Sequence, residues 1–348
     1  MKRSLATTTR VAVAGAGAIG REFAVHHFGK ATSTQVIGIA DADEAKAAGL
    51  AREVGAQHAA FATLLRDADL AYIGTPPASH AALALEALAA GRHVLLEKPL
   101  AATSTDADAI VDAAEAAAAR GVVLGVNIGM RYNAALQRMR KLAVEERSLG
   151  ALVSGRLDLH FLRWPREWQQ SDWVGRRDEG GPLREVGTHF IFALLELFGA
   201  RSVSRVKAVV DYPVDYSRST LKTAAEVSVH GVLQIRDGPA IDLTVRTDGG
   251  GLCDGDDAYE LELVGESGDS LLLDEFTRLR RVRASGARTT LVKDGGYGRV
   301  ECIDAVVGAA AADAAAPPLV TAREARDAQR VIDAFSLSGG AWINVRYD

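Results

Sequence analysis

The sequence predicts an α/β protein in two parts: a doubly wound parallel sheet, then an α+β domain carrying a large, mostly antiparallel, open-faced sheet. Three observations predict it. The first part contains short continuous apolar runs separated by alanine-rich helical stretches, the pattern of strands covered on both faces. The second part replaces those runs with strict alternation of apolar and polar residues, the pattern of a sheet with one open face. A glycine-rich turn follows the first apolar run directly.

A chain of 348 residues exceeds one ordinary core, so two domains are expected, divided as 1–128 and 129–348. The formal net charge of −5 leaves no basic face for nucleic acid. No stretch approaches the roughly 18 apolar residues of a membrane span, and no apolar core follows the charged opening segment, so the expectation is a cytoplasmic protein without a membrane partner. The two cysteines, Cys253 and Cys302, are far apart and outside any C-x-x-C pattern, which points to reduced thiols and to no metal site.

The apolar runs at 11–14, 36–40, 70–74, 93–96 and 122–126 read as parallel strands. Between the last two, residues 103–120 read as a helix opened by Thr and Ser before Asp106 and closed by Gly121. After the first run comes Gly15-Ala16-Gly17-Ala18-Ile19-Gly20, and Asp41 closes the second run 21 residues beyond Gly20. Glycine turn, helix start and distant acid together form a dinucleotide-binding fingerprint, so the first domain is expected to be a Rossmann domain. A carboxylate at Asp41 accepts from ribose hydroxyls and repels a 2′-phosphate, which favours NAD over NADP. Arg21 fits either a pyrophosphate contact or an ordinary helix surface.

Past about residue 150 the alternation appears in Val227-Ser228-Val229, Leu233-Gln234-Ile235, residues 241–245 and Leu261-Glu262-Leu263. The open face of such a sheet meets solvent or a partner subunit. The Gly/Asp-rich stretch 248–257 reads as a hairpin loop that lacks the residue order of a calcium loop. Residues 309–316 read as a helix broken by Pro317-Pro318, and 321–335 as a further amphipathic helix.

Three more motifs follow in order: Gly74-Thr75-Pro76-Pro77-Ala78-Ser79-His80, Glu97-Lys98-Pro99, and Trp173 through Gly180-Gly181-Pro182-Leu183-Arg184-Glu185-Val186-Gly187-Thr188-His189. With the fingerprint they make the chain resemble the Gfo/Idh/MocA family, the glucose-fructose oxidoreductase and inositol dehydrogenase group. The resemblance implies an NAD(P)-dependent oxidoreductase acting on a small molecule such as a sugar, a polyol or a related cyclic compound. It also implies a homodimer or homotetramer assembled through the second domain's sheet. On the cofactor side it points to Gly15, Gly17, Ala18, Ile19, Gly20, Asp41, Thr75, Pro76, His80, Glu97 and Lys98. His80 packs or caps at the start of the next helix beside the cofactor.

Where the family pattern reads Asp, His four residues on and Asp three further, this chain has Glu185, His189 and Phe192. Residues four apart share a helix face, so Glu185 and His189 still point together. The longer Glu185 side chain either meets substrate differently or only orients His189, and Phe192 hints at a less hydroxylated substrate. Hydride transfer at an alcohol carbon needs a base for the hydroxyl proton, and the reverse needs an acid. Lys98 and His189 are the candidate pair, with Glu185 orienting them.

Arg131, beside Asn127 and Tyr132, either lines the substrate cleft or makes domain-junction hydrogen bonds. Trp164, Arg166, Trp168 and Trp173 suit stacking on a ring and gripping its hydroxyls, equally suit a subunit contact, and to a lesser extent suit plain core. Other chemistries open to the same scaffold are imine or bilin-type reduction, NAD-dependent glycoside cleavage, and cofactor binding by a regulator that has lost catalysis.

Overall fold

The structure, a computed structural model, describes residues 8–28, 33–169, 171–213, 224–247 and 256–347. It divides into two compact units: residues 1–128 with 299–326, and residues 129–298 with 327–348. Residues 299–326 thus group with the first unit although they follow most of the second in sequence, a return that a division at 128 does not contain. Cys253 and residues 248–255 of the Gly/Asp-rich stretch lie outside the described residues.

In the first unit the strands are β1 (Thr9–Ala14), β2 (Thr34–Ala40), β3 (Gln57–His58), β4 (Leu70–Ile73), β5 (His93–Leu96) and β6 (Leu124–Val126). They form a parallel sheet in the order β3-β2-β1-β4-β5-β6. Val11 to Ala14 and Leu70 to Ile73 are buried throughout, as strands with helices on both faces must be. The strand order reverses between β1 and β4, and the crevice beyond the carboxyl ends of strands at such a point is where sheets of this kind bind ligands. Two-residue β3 is exposed at the sheet edge, and its Gln-His sequence carries no strand signal.

Local signals set the helix ends. The helix Glu44–Val54 starts where Asp43 Oδ1 accepts from Ala45 N and Lys46 N, each at 3.1 Å, and stops at Gly55 with φ +70°. Thr103 Oγ1 accepts from Asp106 N at 3.1 Å and opens the helix Ser104–Ala118. Thr321 and Glu324 cap each other reciprocally at the start of the helix Ala322–Leu337. The helix Arg299–Ala310 packs on β5 and β6, and Val320 O accepts from Val126 N at 2.9 Å. That helix ends at Ala310, so of the expected helix 309–316 only Ala309 and Ala310 are helical. Ala312 turns left-handed at φ +52° and Asp313 Oδ1 accepts from Ala315 N at 2.9 Å, a side-chain turn that competes with helix.

The second unit holds β7 (Leu152–His160), β8 (Val203–Asp211), β9 (Ser228–Ile235), β10 (Ala240–Arg246), β11 (Ala258–Gly265), β12 (Ser270–Asp274), β13 (Arg278–Val282), β14 (Arg288–Val292) and β15 (Ile343–Asn344). Their order is β14-β13-β12-β11-β7-β10-β9-β8-β15, antiparallel except for the β7/β10 pair. Leu157, Leu159, Ile241, Leu243, Val245, Leu261 and Leu263 are buried along one face. The alternate positions carry polar residues, among them Arg156, which bridges Glu260 at 3.2 Å and Glu262 at 3.0 Å. This is the alternation read from the sequence, now assembled into one sheet.

Candidate active site

The glycine turn shows what each glycine is for. Gly15 has φ +104°, and a Cβ there would stand 2.6 Å from Gly74 O, so β1 and β4 approach through a residue without a side chain. A Cβ on Gly20 would run into the Gly15 carbonyl, whereas one on Gly17 would meet nothing within 4 Å. Gly17 therefore borders open space at the start of a helical stretch, Ala18–Glu22 continuing through the wider turn Phe23–Phe28. That space and the unpaired amino-end N–H groups around Ala18 and Ile19 fit a dinucleotide pyrophosphate. Asp41 Oδ2 accepts from Ala16 N at 2.7 Å and Oδ1 from Asp43 N at 2.8 Å, which pins the carboxylate beside the turn while each oxygen keeps a lone pair for a ribose hydroxyl. Arg21 is paired with Glu53, the ordinary helix-surface outcome.

At the carboxyl ends of β4, β5 and β6 lies a buried polar network. Glu97 Oε1 accepts from Tyr72 Oη at 2.8 Å and from Asn127 Nδ2, and Oε2 accepts from Lys98 N at 3.3 Å. Burial pushes the Glu97 carboxyl up from its ordinary value, opposed by the Lys98 charge and by the bonds from Asn127 and Tyr72. Burial likewise raises the Tyr72 hydroxyl, reinforced by Glu97. Asn127 Oδ1 is buried without a hydrogen-bond partner. Glu97 thus faces inward as a structural acid, and Lys98 follows it half-buried at the strand end.

His80 opens the helix His80–Ala89 and packs at its start, as the sequence led us to expect. Its ring is 0 % exposed, with Nδ1 3.0 Å from Pro99 O and Nε2 2.9 Å from Thr75 O. It braces the Thr75-Pro76 loop against the segment after Lys98 and presents no ring surface to a ligand. Thr75 Oγ1 accepts from Ser79 Oγ at 2.7 Å, and Pro76 is exposed.

In the second unit the wide turn Leu183–Gly187 runs into the helix Thr188–Phe198, so Glu185 and His189 sit one turn apart. Leu183 N donates to Glu226 Oε1 at 2.8 Å. Glu226 is buried, which pushes its carboxyl up, with the Leu183 bond opposing; its carboxylate fills the space a side chain at Gly181 would need. Glu185, expected to orient His189, is held by Arg166, whose Nη2 donates to Oε2 at 2.7 Å. Arg166 Nη1 donates to Tyr259 Oη at 3.3 Å, and its guanidinium lies over Trp168 at 4.8 Å and Trp164 at 5.4 Å. Arg166 thus pairs with an acid and stacks on two indoles. Trp164 Nε1 donates to Val174 O at 2.9 Å, Trp173 is half-exposed, and Trp168 is 51 % exposed.

Arg131 Nη2 donates to Glu196 Oε1 at 2.5 Å, and its guanidinium stands 5.5 Å from the centre of Phe192. Phe192 is 1 % exposed and forms a platform under Arg131. His189 is half-buried, and its ring meets Phe276 edge to face at 5.7 Å. Sequence reasoning missed Glu226, Glu196, Tyr259 and Phe276. Tyr259 meets the site from β11, Glu196 from further along the helix Thr188–Phe198, and Glu226 and Phe276 from irregular segments; only Gly181, which faces Glu226, hinted at a close approach. Among the described residues no group of three or more His, Cys, Asp or Glu could hold a metal ion, and no helix is long and apolar enough to cross a membrane.

Comparison with known proteins places both units. Residues 9–141 match the model of the oxidoreductase family's NAD-binding Rossmann fold, and residues 141–345 match its C-terminal alpha/beta domain. The chain is 34 % identical over 181 residues to 1,5-anhydro-D-fructose reductase of Ensifer adhaerens, which is 50 % of this chain and 52 % of that protein. It is 37 % identical over 109 residues to inositol 2-dehydrogenase 1 of Saccharopolyspora erythraea, 30 % of this chain and 32 % of that one. The first of these matches spans about half the relative's length and the second about a third. Among solved structures, the WlbA dehydrogenase of Bordetella pertussis in complex with NADH and UDP-GlcNAcA superposes with TM-score 0.78 at 22 % identity, covering 98 % of this chain and 100 % of that one. With family models matching residues 9–141 and 141–345, the chain belongs to the Gfo/Idh/MocA family of oxidoreductases.

Proposed function

We propose that this protein is an NAD-dependent oxidoreductase that moves a hydride between nicotinamide and a secondary alcohol or ketone of a sugar, cyclitol or related cyclic compound. The first unit serves the cofactor and the second the substrate. The bound nicotinamide supplies the hydride acceptor or donor. The protein's own residues do the rest: Asp41 selects a ribose without a 2′-phosphate, the Gly17 cradle admits the pyrophosphate, and Lys98 and His189 handle the hydroxyl proton.

The observation that carries this reading is the strand end at Glu97-Lys98. A buried acid anchored by Tyr72 and Asn127 fixes the backbone from which Lys98 projects, at the carboxyl end of the sheet where its cation polarises a substrate oxygen. Imidazoles as a class exchange protons near neutral pH, which suits His189 to the proton step. The names of the relatives, 1,5-anhydro-D-fructose reductase and inositol 2-dehydrogenase 1, support the substrate class. We extend the proposal to a homodimer or homotetramer formed through the polar open face of the second unit's sheet.

The test is a screen of sugars, cyclitols and ketosugars for NAD(H) turnover, with Lys98→Ala in parallel. Turnover by the wild type that falls at least about 100-fold in Lys98→Ala is expected of a group acting on the reacting oxygen. Near wild-type rates in the variant would refute the role of Lys98.

A further inference from the structure

We propose that Phe276, in the turn joining β12 to β13, is a positioning residue that fixes the imidazole of His189; the catalytic part of this inference rests on His189 carrying the proton. The turn is Glu275-Phe276-Thr277, and both Glu275 (φ +51°) and Phe276 (φ +65°) adopt the left-handed backbone conformation. Each non-glycine residue held there costs roughly 1–2 kcal/mol. Glycine would remove the strain at either position. A bulky aromatic retained in this conformation marks a place where the ring itself is wanted.

The surrounding structure holds the turn on three sides. Asn133 Nδ2 donates to Phe276 O at 2.9 Å, Gly295 N to Thr277 O at 2.7 Å, and Glu275 N to Tyr259 O at 3.1 Å. The ring so aimed meets four others. Phe190 lies at 4.8 Å, Tyr259 at 4.9 Å, Tyr297 at 6.2 Å, and His189 at 5.7 Å with the planes 84° apart. Phe190 and Tyr259 brace the ring from within, and His189 receives its edge-to-face contact.

His189 is half-buried in the first turn of its helix, where its ring takes the edge-to-face contact of Phe276. An edge-to-face aromatic contact is worth about 0.5–1.5 kcal/mol beyond burial, enough to favour one ring rotamer several-fold. A proton carrier held in one orientation reacts without first paying to be ordered. The ionisable groups around this contact are Glu185 with Arg166, Tyr259 with Asp257, Glu275 with Arg278, and Tyr297. None of these is altered by substitutions at Phe276.

The experiment compares Phe276→Ala, Phe276→Leu, Phe276→Tyr and Glu275→Gly in the full-length protein with NAD(H). It reads kcat, KM, the pH profile of kcat/KM, and the ring NMR signals of His189, identified by their loss in His189→Asn. For Ala and Leu, kcat falls by about tenfold or more with KM within about threefold, as for a lost orienting contact. The His189 signals then broaden or titrate at a displaced midpoint. Tyr restores both readouts, and Glu275→Gly leaves both unchanged while removing strain.

Wild-type kinetics together with unmoved His189 signals in folded Ala and Leu variants would overturn the inference. So would equal losses in Phe276→Tyr, which would mean that the ring serves packing alone. If the wild type turns over no sugar or cyclitol, the proposed reaction fails while the NMR signals still decide whether Phe276 positions His189.

Discussion

Gly17 and Gly20 lie three residues apart in one turn, and the structure predicts opposite consequences for the same added methyl. At Gly20, a Cβ would be over 1 Å inside the 3.0 Å limit that real Cβ atoms keep, and the atom it meets is the rigid Gly15 carbonyl. Overpacking of this kind costs about 1–3 kcal/mol. For a unit of this size that lowers Tm by about 2–4 °C per kcal/mol. At Gly17 the methyl meets nothing within 4 Å. The loss of glycine at a helix cap and the gain from a stiffer unfolded chain are each under about 1 kcal/mol and offset one another. Stability therefore holds, but the methyl occupies the cradle. Losing one charge-assisted bond to the pyrophosphate costs about 1.5–3 kcal/mol, or about 10- to 150-fold in Kd. NADH titration followed by nucleotide fluorescence, alongside thermal unfolding, separates the two effects. Gly17→Ala binding NADH as the wild type does, or melting as early as Gly20→Ala, would refute the reasoning.

Glu226→Ala strands the buried Leu183 N–H and is expected to cost about 1–3 kcal/mol in denaturant unfolding. Glu226→Gln keeps an acceptor and loses the buried charge. Because the folded carboxyl is raised above its unfolded value, wild-type stability falls as pH rises through the unfolded value toward the folded one and stays lower above it. The Gln variant should lack that fall, and parallel pH profiles of unfolding for the two proteins would contradict the assignment. Arg166→Ala leaves Glu185 buried without its cation, a loss approaching the about 3–5 kcal/mol of a broken buried pair. Arg166→Lys recovers only part of it, because an ammonium neither forks nor stacks; full recovery in urea melts would count against the stacked geometry. Asp41→Asn should weaken NADH binding about tenfold and raise the preference for NADPH, since the repelling charge is gone. Unchanged selectivity in competitive titration would remove Asp41 from cofactor choice.

Much of the first unit was legible because its information is local. Continuous apolar runs mark buried parallel strands, Thr103 and Thr321 announce helix starts, and the glycine turn with Asp41 is a contiguous signature whose atoms do meet. The alternating strands of the second unit were legible for the same reason. What stayed hidden depends on residues far apart in sequence. Arg166 reaching Glu185, Arg131 reaching Glu196 and Phe276 reaching His189 are contacts between elements, and no periodicity encodes a partner. The return of 299–326 was hidden as well, because an amphipathic helix does not declare which sheet it covers. Residues 309–316 misled because alanine favours helix while Asp313 offers the backbone a competing turn.

The return of residues 299–326 has a consequence for the order in which the protein is made. Val126 donates to Val320, and Val306 and Leu319 lie against Gly125, so the β6 edge of the nucleotide-binding sheet is closed by a segment synthesised some 190 residues later. A chain leaving the ribosome amino end first carries that edge open, with apolar surface beside it, until the segment after residue 298 has emerged. The first unit is early in the gene and late in completion. A fragment cut at residue 128 would inherit the open edge permanently, whereas one rejoined to residues 299–326 through a short linker carries its own closure.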